Sequence, residues 1–278
     1  MNKIQNFAKD HTIIYCILLE ILMLGGIILI SMPLGLLFDV SSMDTYVLQA
    51  LSETVGVVVA FVALLVSGCA QVITRRGIGF GKGLLVGGYF LVIGVLSGCS
   101  LFATYEGDRT LRPWYLIAAY LLCMLLVGVA EEWMFRGVHS ELLLRRYGAT
   151  KEGVWKATII SGVLFGLAHL SNLFGAAPVG VLVQCVVAAG MGMVFAAIYY
   201  RTGNIWVTVV LHAFIDAGAL ITSGLYEGTI VDTISGYQPI QLIGIVPYMI
   251  VLFVLLRKKK MDQILERLSG AQEWATAE

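Results

Sequence analysis

The sequence alternates long apolar stretches with short polar segments. A helix needs about 20 mostly apolar residues to cross a bilayer. The stretches that meet this requirement lie at residues 12–37, 46–73, 80–104, 114–144, 154–171, 179–200, 204–225 and 239–256. The pattern predicts an all-α, polytopic membrane helix bundle with about eight transmembrane helices. We expect residues 1–278 to form a single integral-membrane domain.

The end of the fourth stretch is the hardest boundary to place. Gly137 follows a charged residue, and residues 138–147 are amphipathic. Glycine is a poor helix former, and an amphipathic segment is suited to a membrane surface. We therefore expect the fourth helix to bend onto the surface after Gly137.

Composition agrees with a membrane location. The chain is 59% hydrophobic and only 13% charged, whereas soluble domains carry about 25% charged residues. The net charge is zero, so a nucleic-acid partner is not expected. Membrane lipid is the expected surroundings, and the sequence carries no signal for an oligomeric state.

The distribution of basic residues predicts the orientation, because Lys and Arg concentrate in cytoplasmic loops. Under this assignment the other side holds only Arg109 and Arg112, and its loops are otherwise acidic or neutral. One side holds Lys3, Lys9, Arg75, Arg76, Lys82, Arg145, Arg146, Lys151, Lys156, Arg201 and the run at 257–260. The acidic residues opposite are Asp39, Asp44, Glu106, Asp108, Glu227 and Asp232. This predicts a multi-pass cell-membrane protein with both termini cytoplasmic and a cytoplasmic tail at 261–278.

Two carboxylates and a guanidinium interrupt the fourth apolar stretch. A charge at the bilayer centre costs from a few to more than ~10 kcal/mol, so these groups need partners. Glu132 and Arg136 are four residues apart and can pair on one helix face. Glu131 is rotated about 100° from Glu132 and is free to accept a proton from water.

Two further apolar helices each bring one histidine. His169 lies on the fifth stretch and His212 on the seventh, and Asp216 follows His212 by one turn, where it can orient the imidazole. Counted from the basic loops, the carboxylates and both histidines fall at similar depths. We expect the three helices to converge on one buried polar site that activates water.

The residue types leave two chemistries open. Glu131, His169, His212 and Asp216 could bind Zn²⁺ at a catalytic site, although the sequence lacks His-Glu-x-x-His. In a metal-free site, Glu131 and His169 would activate water while His212 and Asp216 steady an oxyanion.

Other polar and small residues favour structural roles. Glu20 and Gln184 are expected to hold helices together, and His139 is expected at the membrane interface. Gly162 and Gly166 form a GxxxG pattern that favours close packing of the fifth helix. Phe165, one turn before His169, is expected to shape the pocket.

Three motifs on successive membrane helices resemble the CPBP intramembrane protease family. This family covers the type II CAAX prenyl endopeptidases and bacterial relatives linked to bacteriocin processing and self-immunity. The motifs are Glu-Glu-x-x-x-Arg at Glu131, Glu132 and Arg136, Phe-x-x-x-His at Phe165 and His169, and His-x-x-x-Asn/Asp at His212 and Asp216. The resemblance covers residues 114–220, the expected catalytic core.

The resemblance implies an intramembrane endopeptidase that cuts a membrane-associated protein or peptide. It implies that Glu131 is the water-activating base, assisted by His169. It further assigns oxyanion stabilisation to His212 and Asp216, and a bracing role to Glu132 with Arg136. Both a metalloprotease and a glutamate-dependent, metal-free mechanism are implied for such proteins.

Two other functions use the same residue types. Intramembrane Glu, His and Arg also build the relays of proton- or ion-coupled transporters, which commonly contain internal repeats; the halves of this sequence show no clear repeat. A non-catalytic immunity or binding module on the same fold is the third alternative.

Overall fold

The computed structural model describes residues 3–37, 43–148 and 150–276, and these contain helices and no strand. Asp39 and the last two residues of the tail lie outside the described residues. The helices are α1 (Lys3–Asp10), α2 (Thr12–Leu37), α3 (Thr45–Val66), α4 (Phe80–Val86), α5 (Gly88–Thr104), α6 (Trp114–Glu132), α7 (Glu141–Tyr147), α8 (Lys151–Ala168), α9 (Pro178–Thr202), α10 (Ile205–Ala219), α11 (Ile221–Leu225), α12 (Ile230–Ser235), α13 (Ile245–Leu255) and α14 (Lys258–Thr276). A π-helical segment, Trp133–Ser140, joins α6 to α7, and 3₁₀ turns cover Ala70–Ile73, His169–Phe174 and Pro239–Gly244.

The predicted membrane bundle is confirmed. Within the described ranges, five helices are long and apolar enough to cross a membrane. Two bent helix pairs and the shorter apolar helix α10 supply three further candidates. These segments correspond to the eight apolar stretches of the sequence.

Two predicted helices have a different course. The third stretch is broken, because α4 and α5 meet at an angle of 67°. Gly87 lies at this break, and a side chain there would collide with Leu211 of α10. The expected bend at Gly137 is wrong, since Trp114–Tyr147 is one continuous helical span. A Cβ at Gly137 would lie 2.9 Å from Leu64 Cδ2, so this glycine permits close packing against α3.

Polar side chains define where several helices begin. The Asp44 carboxylate accepts a hydrogen bond from the backbone of Tyr46 at the start of α3, at 2.9 Å. Thr150 caps α8 and Asn204 caps α10 in the same way. Gly203 adopts φ +62° between α9 and α10, a left-handed conformation that glycine tolerates best. The short turn places α10 antiparallel to α9.

Helix α9 is the centre of the bundle. Its apolar stretch is 61% buried, against 28–39% for the other four long apolar helices. Helix α8 packs tightly on α9 through small residues, because a Cβ at Gly162 would lie 2.7 Å from the Ala189 carbonyl oxygen. A Cβ at Gly166 would lie 2.7 Å from Ala189 Cβ. The GxxxG pattern therefore brings the helix that carries His169 against the bundle core.

Candidate functional site

The fourth span delivers its acidic residues at a change of helix type. Glu131 and Glu132 are the last residues of α6, and the following eight residues are π-helical. π-Helical turns are rare and occur frequently at functional sites. Glu132 and Arg136 are completely buried, whereas the Glu131 side chain remains 23% exposed. The two adjacent carboxylates therefore occupy different environments, as expected from their rotation on the helix.

Glu132 forms the expected ion pair. Its Oε1 lies 2.9 Å from Arg136 Nη1. The guanidinium also lies 4.5 Å from the centre of the Phe165 ring and 5.0 Å from that of Phe195. Arg136 Nη2 donates to the Gly192 carbonyl oxygen at 3.3 Å. The cation is thus neutralised by a carboxylate and held between aromatic rings of α8 and α9.

His212 connects α10 to the same carboxylate. Its Nδ1 lies 2.8 Å from Glu132 Oε1. Its Nε2 faces two other acids, with Asp216 Oδ2 at 3.4 Å and Glu131 Oε2 at 3.6 Å. The ring stacks on Phe195, with centroids 5.2 Å apart. Asp216 thus lies beside the imidazole that it was expected to orient, and Glu132 makes a shorter contact that the sequence analysis did not predict.

His169 lies at the end of α8, at the start of the 3₁₀ turn. Its Nδ1 lies 2.8 Å from the Phe165 carbonyl oxygen. A carbonyl only accepts hydrogen bonds, so Nδ1 carries the proton and Nε2 is left as the basic nitrogen. The Phe165 ring makes edge contacts with both His169 and His212, at centroid distances of 5.0 and 5.7 Å. Phe165 thus separates the two imidazoles and shapes the site, as predicted.

A carboxylate from α3 also approaches the site, and sequence analysis missed it. Glu53 is buried, and Gln49 Nε2 donates to its Oε1 at 2.6 Å. A Cβ at Gly56 would lie 3.4 Å from Glu53 Oε2 and 3.3 Å from Ala130 Cβ, so the carboxylate lies beside the start of the Glu131 motif. The signal that could have identified Glu53 is that it is the only acidic residue in the second apolar stretch.

His139 is buried, and its predicted interfacial position is wrong. Its Nδ1 lies 3.3 Å from Glu20 Oε1 of α2, and its ring packs on Phe135. The predicted role of Glu20 in holding helices together is consistent with this contact. Gln184 similarly accepts a hydrogen bond from Asn172 at 2.8 Å.

The donor atoms for a bound metal ion would come from the acids and imidazoles of this site. Among the described residues, no group of three or more His, Cys, Asp or Glu side chains is placed to hold one. His212 Nδ1 is engaged by Glu132, and His169 Nδ1 by a carbonyl. A histidine that binds a metal through Nε2 commonly donates its other ring N–H to a carboxylate or carbonyl, so both Nε2 atoms remain candidate ligands.

Fold and site together define a multi-pass helical membrane protein with a buried cluster of Glu, His and Arg side chains. Residues 112–218 match the family described as Type II CAAX prenyl endopeptidase Rce1-like. This match confirms the resemblance suggested by the three motifs and covers the same part of the chain. No curated protein and no solved structure matches the chain. The family match indicates a protease.

Proposed function

We propose that the chain is an intramembrane endopeptidase that uses Glu131 to activate water. The observation that carries this proposal is the meeting of Glu131, from α6, with His212, from α10, at 3.6 Å. This distance is too long for a good hydrogen bond, and the buried Glu131 Oε2 has no hydrogen-bond partner among the described residues, so it can accept a hydrogen bond from a water that enters the site. The match to a peptidase family over the same residues supports hydrolysis rather than ion transport.

In the proposed reaction, Glu131 takes a proton from a water molecule. The basic Nε2 of His169 assists by accepting a hydrogen bond from the same water. The resulting hydroxide attacks the carbonyl carbon of the scissile peptide bond. The proton held by Glu131 then passes to the leaving nitrogen, and the C–N bond breaks. A positioned general base contributes about 10²–10⁴-fold to such a rate.

The developing oxyanion is assigned to His212 and Asp216. Because Glu132 accepts at His212 Nδ1, that nitrogen donates its proton there. A protonated Nε2 can then donate to the oxyanion, and a protonated Asp216 adds a second donor. Glu132 holds the His212 imidazole in place, and Arg136 pairs with Glu132.

The proposed reaction uses no metal ion, since Glu131 and His169 act directly on the water. Zn²⁺ coordination by Glu131, His169, His212 and Asp216 is the alternative. A chelator distinguishes the metal-free mechanism from the Zn²⁺-dependent one. If Zn²⁺ is required, chelation abolishes turnover and added Zn²⁺ restores it.

The proposed substrate is a membrane-associated protein or peptide with its scissile bond close to the bilayer. The family description names prenylated CAAX substrates. A farnesylated CAAX peptide and its unmodified counterpart therefore both belong in the substrate panel.

The test compares purified wild type with Glu131→Gln on fluorogenic peptides in detergent or nanodiscs. We expect turnover to fall by at least ~100-fold in this variant, since glutamine cannot accept the proton. Glu152→Gln is the matched control, because Glu152 is exposed at the start of α8, and it should retain wild-type turnover. Thermal unfolding of each variant checks folding. Equal turnover by wild type and Glu131→Gln would remove the assignment.

A further inference from the structure

A surface cavity lies at the end of the bundle where α9 turns into α10, and its polar lining is mainly cationic. Its volume is about 460 Å³. It lies between the start of α4, the end of α9 and the start of α14. The lining residues are Ile78, Lys82, Arg201, Lys260, Gln263 and Ile264. Three of these carry a positive charge and none is acidic.

The cations of this cavity have no acidic counterpart in the described part of the chain. None of Lys82, Arg201 and Lys260 takes part in an ion pair between described residues. The positive charge of Arg201, with some desolvation and with the charges of Arg257 and Lys259, lowers the pKa of Lys260. The cluster is therefore repulsive by itself, and an anion would relieve the repulsion.

Hydrogen bonds hold the backbone around the cavity. Ile78 donates to the Thr202 carbonyl oxygen at 2.9 Å, and Asn204 Nδ2 donates to the Arg76 carbonyl oxygen at 3.1 Å. These bonds fix the segment before α4 against the turn between α9 and α10. A site built on a fixed backbone loses less entropy when a ligand binds.

Apolar side chains are exposed at the cavity and along the adjoining helix α4. Phe80 and Leu85 of α4 are 43% and 82% exposed, and Ile78 is 39% exposed. A free phosphate ion would gain nothing from these side chains. An acyl chain lying along α4 would cover them while its headgroup reached the cations.

We propose that this cavity binds the phosphate of an anionic phospholipid, with an acyl chain along α4. Lys82, Arg201 and Lys260 contact the headgroup. The proposal is independent of the proteolytic function, since Lys82, Arg201 and Lys260 belong to none of the three motifs.

A neighbouring cavity supplies the control. It is lined by Lys258, Lys259, Asp262, Gln263 and Glu266. Here two cations accompany two acids, and Asp262 already pairs with Lys151 at 2.7 Å. Removing Lys258 and Lys259 deletes the same total charge as removing Arg201 and Lys260 but leaves the cation cluster intact.

Native mass spectrometry of the full chain, titrated with phosphatidylglycerol and separately with phosphatidylcholine, measures the binding. We expect Arg201→Gln/Lys260→Gln to weaken phosphatidylglycerol binding more than tenfold. Lys258→Gln/Lys259→Gln should weaken it less than threefold, and phosphatidylcholine should bind neither variant differently from wild type. Lys82→Gln/Lys260→Gln leaves α9 unchanged and should also lose affinity, which guards against misfolding of the first variant.

Equal losses in the Arg201/Lys260 and Lys258/Lys259 variants would show general attraction to a charged surface and would overturn the site. A third arm adds millimolar inorganic phosphate. Displacement of the lipid by phosphate at this concentration would show that the cations bind phosphate without help from α4, and the lipid assignment would fail.

Discussion

Glu132 Oε1 lies 2.8 Å from His212 Nδ1, so a buried carboxylate of the fourth span directly positions an imidazole of α10. The same oxygen lies 2.9 Å from Arg136 Nη1. Glu132 therefore neutralises one cation and orients one ring at the same time. Its neighbour Glu131 makes neither short contact. Of the two adjacent acids, Glu132 makes the structural contacts, and Glu131 is the one proposed to activate water.

This division predicts that two matched substitutions change the free energy of unfolding by different amounts. Glu132→Gln should lower the free energy of unfolding by about 3–5 kcal/mol, because it leaves the buried Arg136 without a counter-charge. Glu131→Gln should change it by less than about 1 kcal/mol, since the side chain is partly exposed. Chemical or thermal unfolding in detergent measures both. Equal destabilisation by the two substitutions would contradict the division.

Asp216 gives a test of the oxyanion assignment. If a neutral donor is needed at this position, Asp216→Asn should keep turnover within about threefold of wild type, since the amide also donates. Asp216→Ala removes the donor and should reduce turnover more than about tenfold. Steady-state kinetics on one cleaved peptide measure both variants. An asparagine variant as inactive as the alanine variant would show that the carboxylate charge itself is required.

The pairing of His139 with Glu20 predicts a coupled effect on stability. His139→Ala should cost about 1–3 kcal/mol, because Glu20 is left without its partner inside the bundle. His11→Ala is the control, since His11 is exposed at the N-terminal end of the chain, and it should be near neutral. The double variant Glu20→Gln/His139→Ala should lose less unfolding free energy than the two single variants lose together, by at least about 0.5 kcal/mol. Additive losses would show that the two side chains do not interact.

The predicted orientation can be tested on the two sides of the bundle. Arg112, one of two basic residues assigned to the non-cytoplasmic side, pairs with Asp44 and donates to the Gly228 carbonyl oxygen at 3.2 Å. Its charge is thus compensated, which fits the positive-inside assignment. In a cysteine-free background, an impermeant maleimide should label Asp108→Cys in intact cells. It should label Lys258→Cys only after lysis, and the reverse pattern would invert the topology.

Hydropathy and motif spacing predict much of this architecture. The apolar stretches locate the spans, and the four-residue spacing of Glu132 and Arg136 predicts their ion pair. Counting residues from the basic loops predicts that Glu131, Glu132 and His212 lie at the same depth in the membrane, and in the structure they contact one another. These features are local, because they depend on composition and on the period of a regular helix.

The features that sequence reasoning missed depend on how helices are rotated and bent. Apolar composition is similar on both sides of Gly87, so hydropathy does not report the 67° bend there. Whether His139 faces lipid, water or α2 depends on the helix type of residues 133–140, which the pattern does not reveal. Glu53 becomes relevant only because Gly56 lets α3 approach Ala130 closely.

The π-helical segment lets side chains of one span contact two neighbouring helices that lie in different directions. Residues seven apart on a regular α-helix differ by only about 20° in angle and would point the same way. Glu132 and His139 are seven apart, yet the first meets α10 and the second meets Glu20 of α2. The wider turns between them shift the angular phase of the helix, so the side chain that holds the His212 imidazole and the one that contacts the first span are oriented independently.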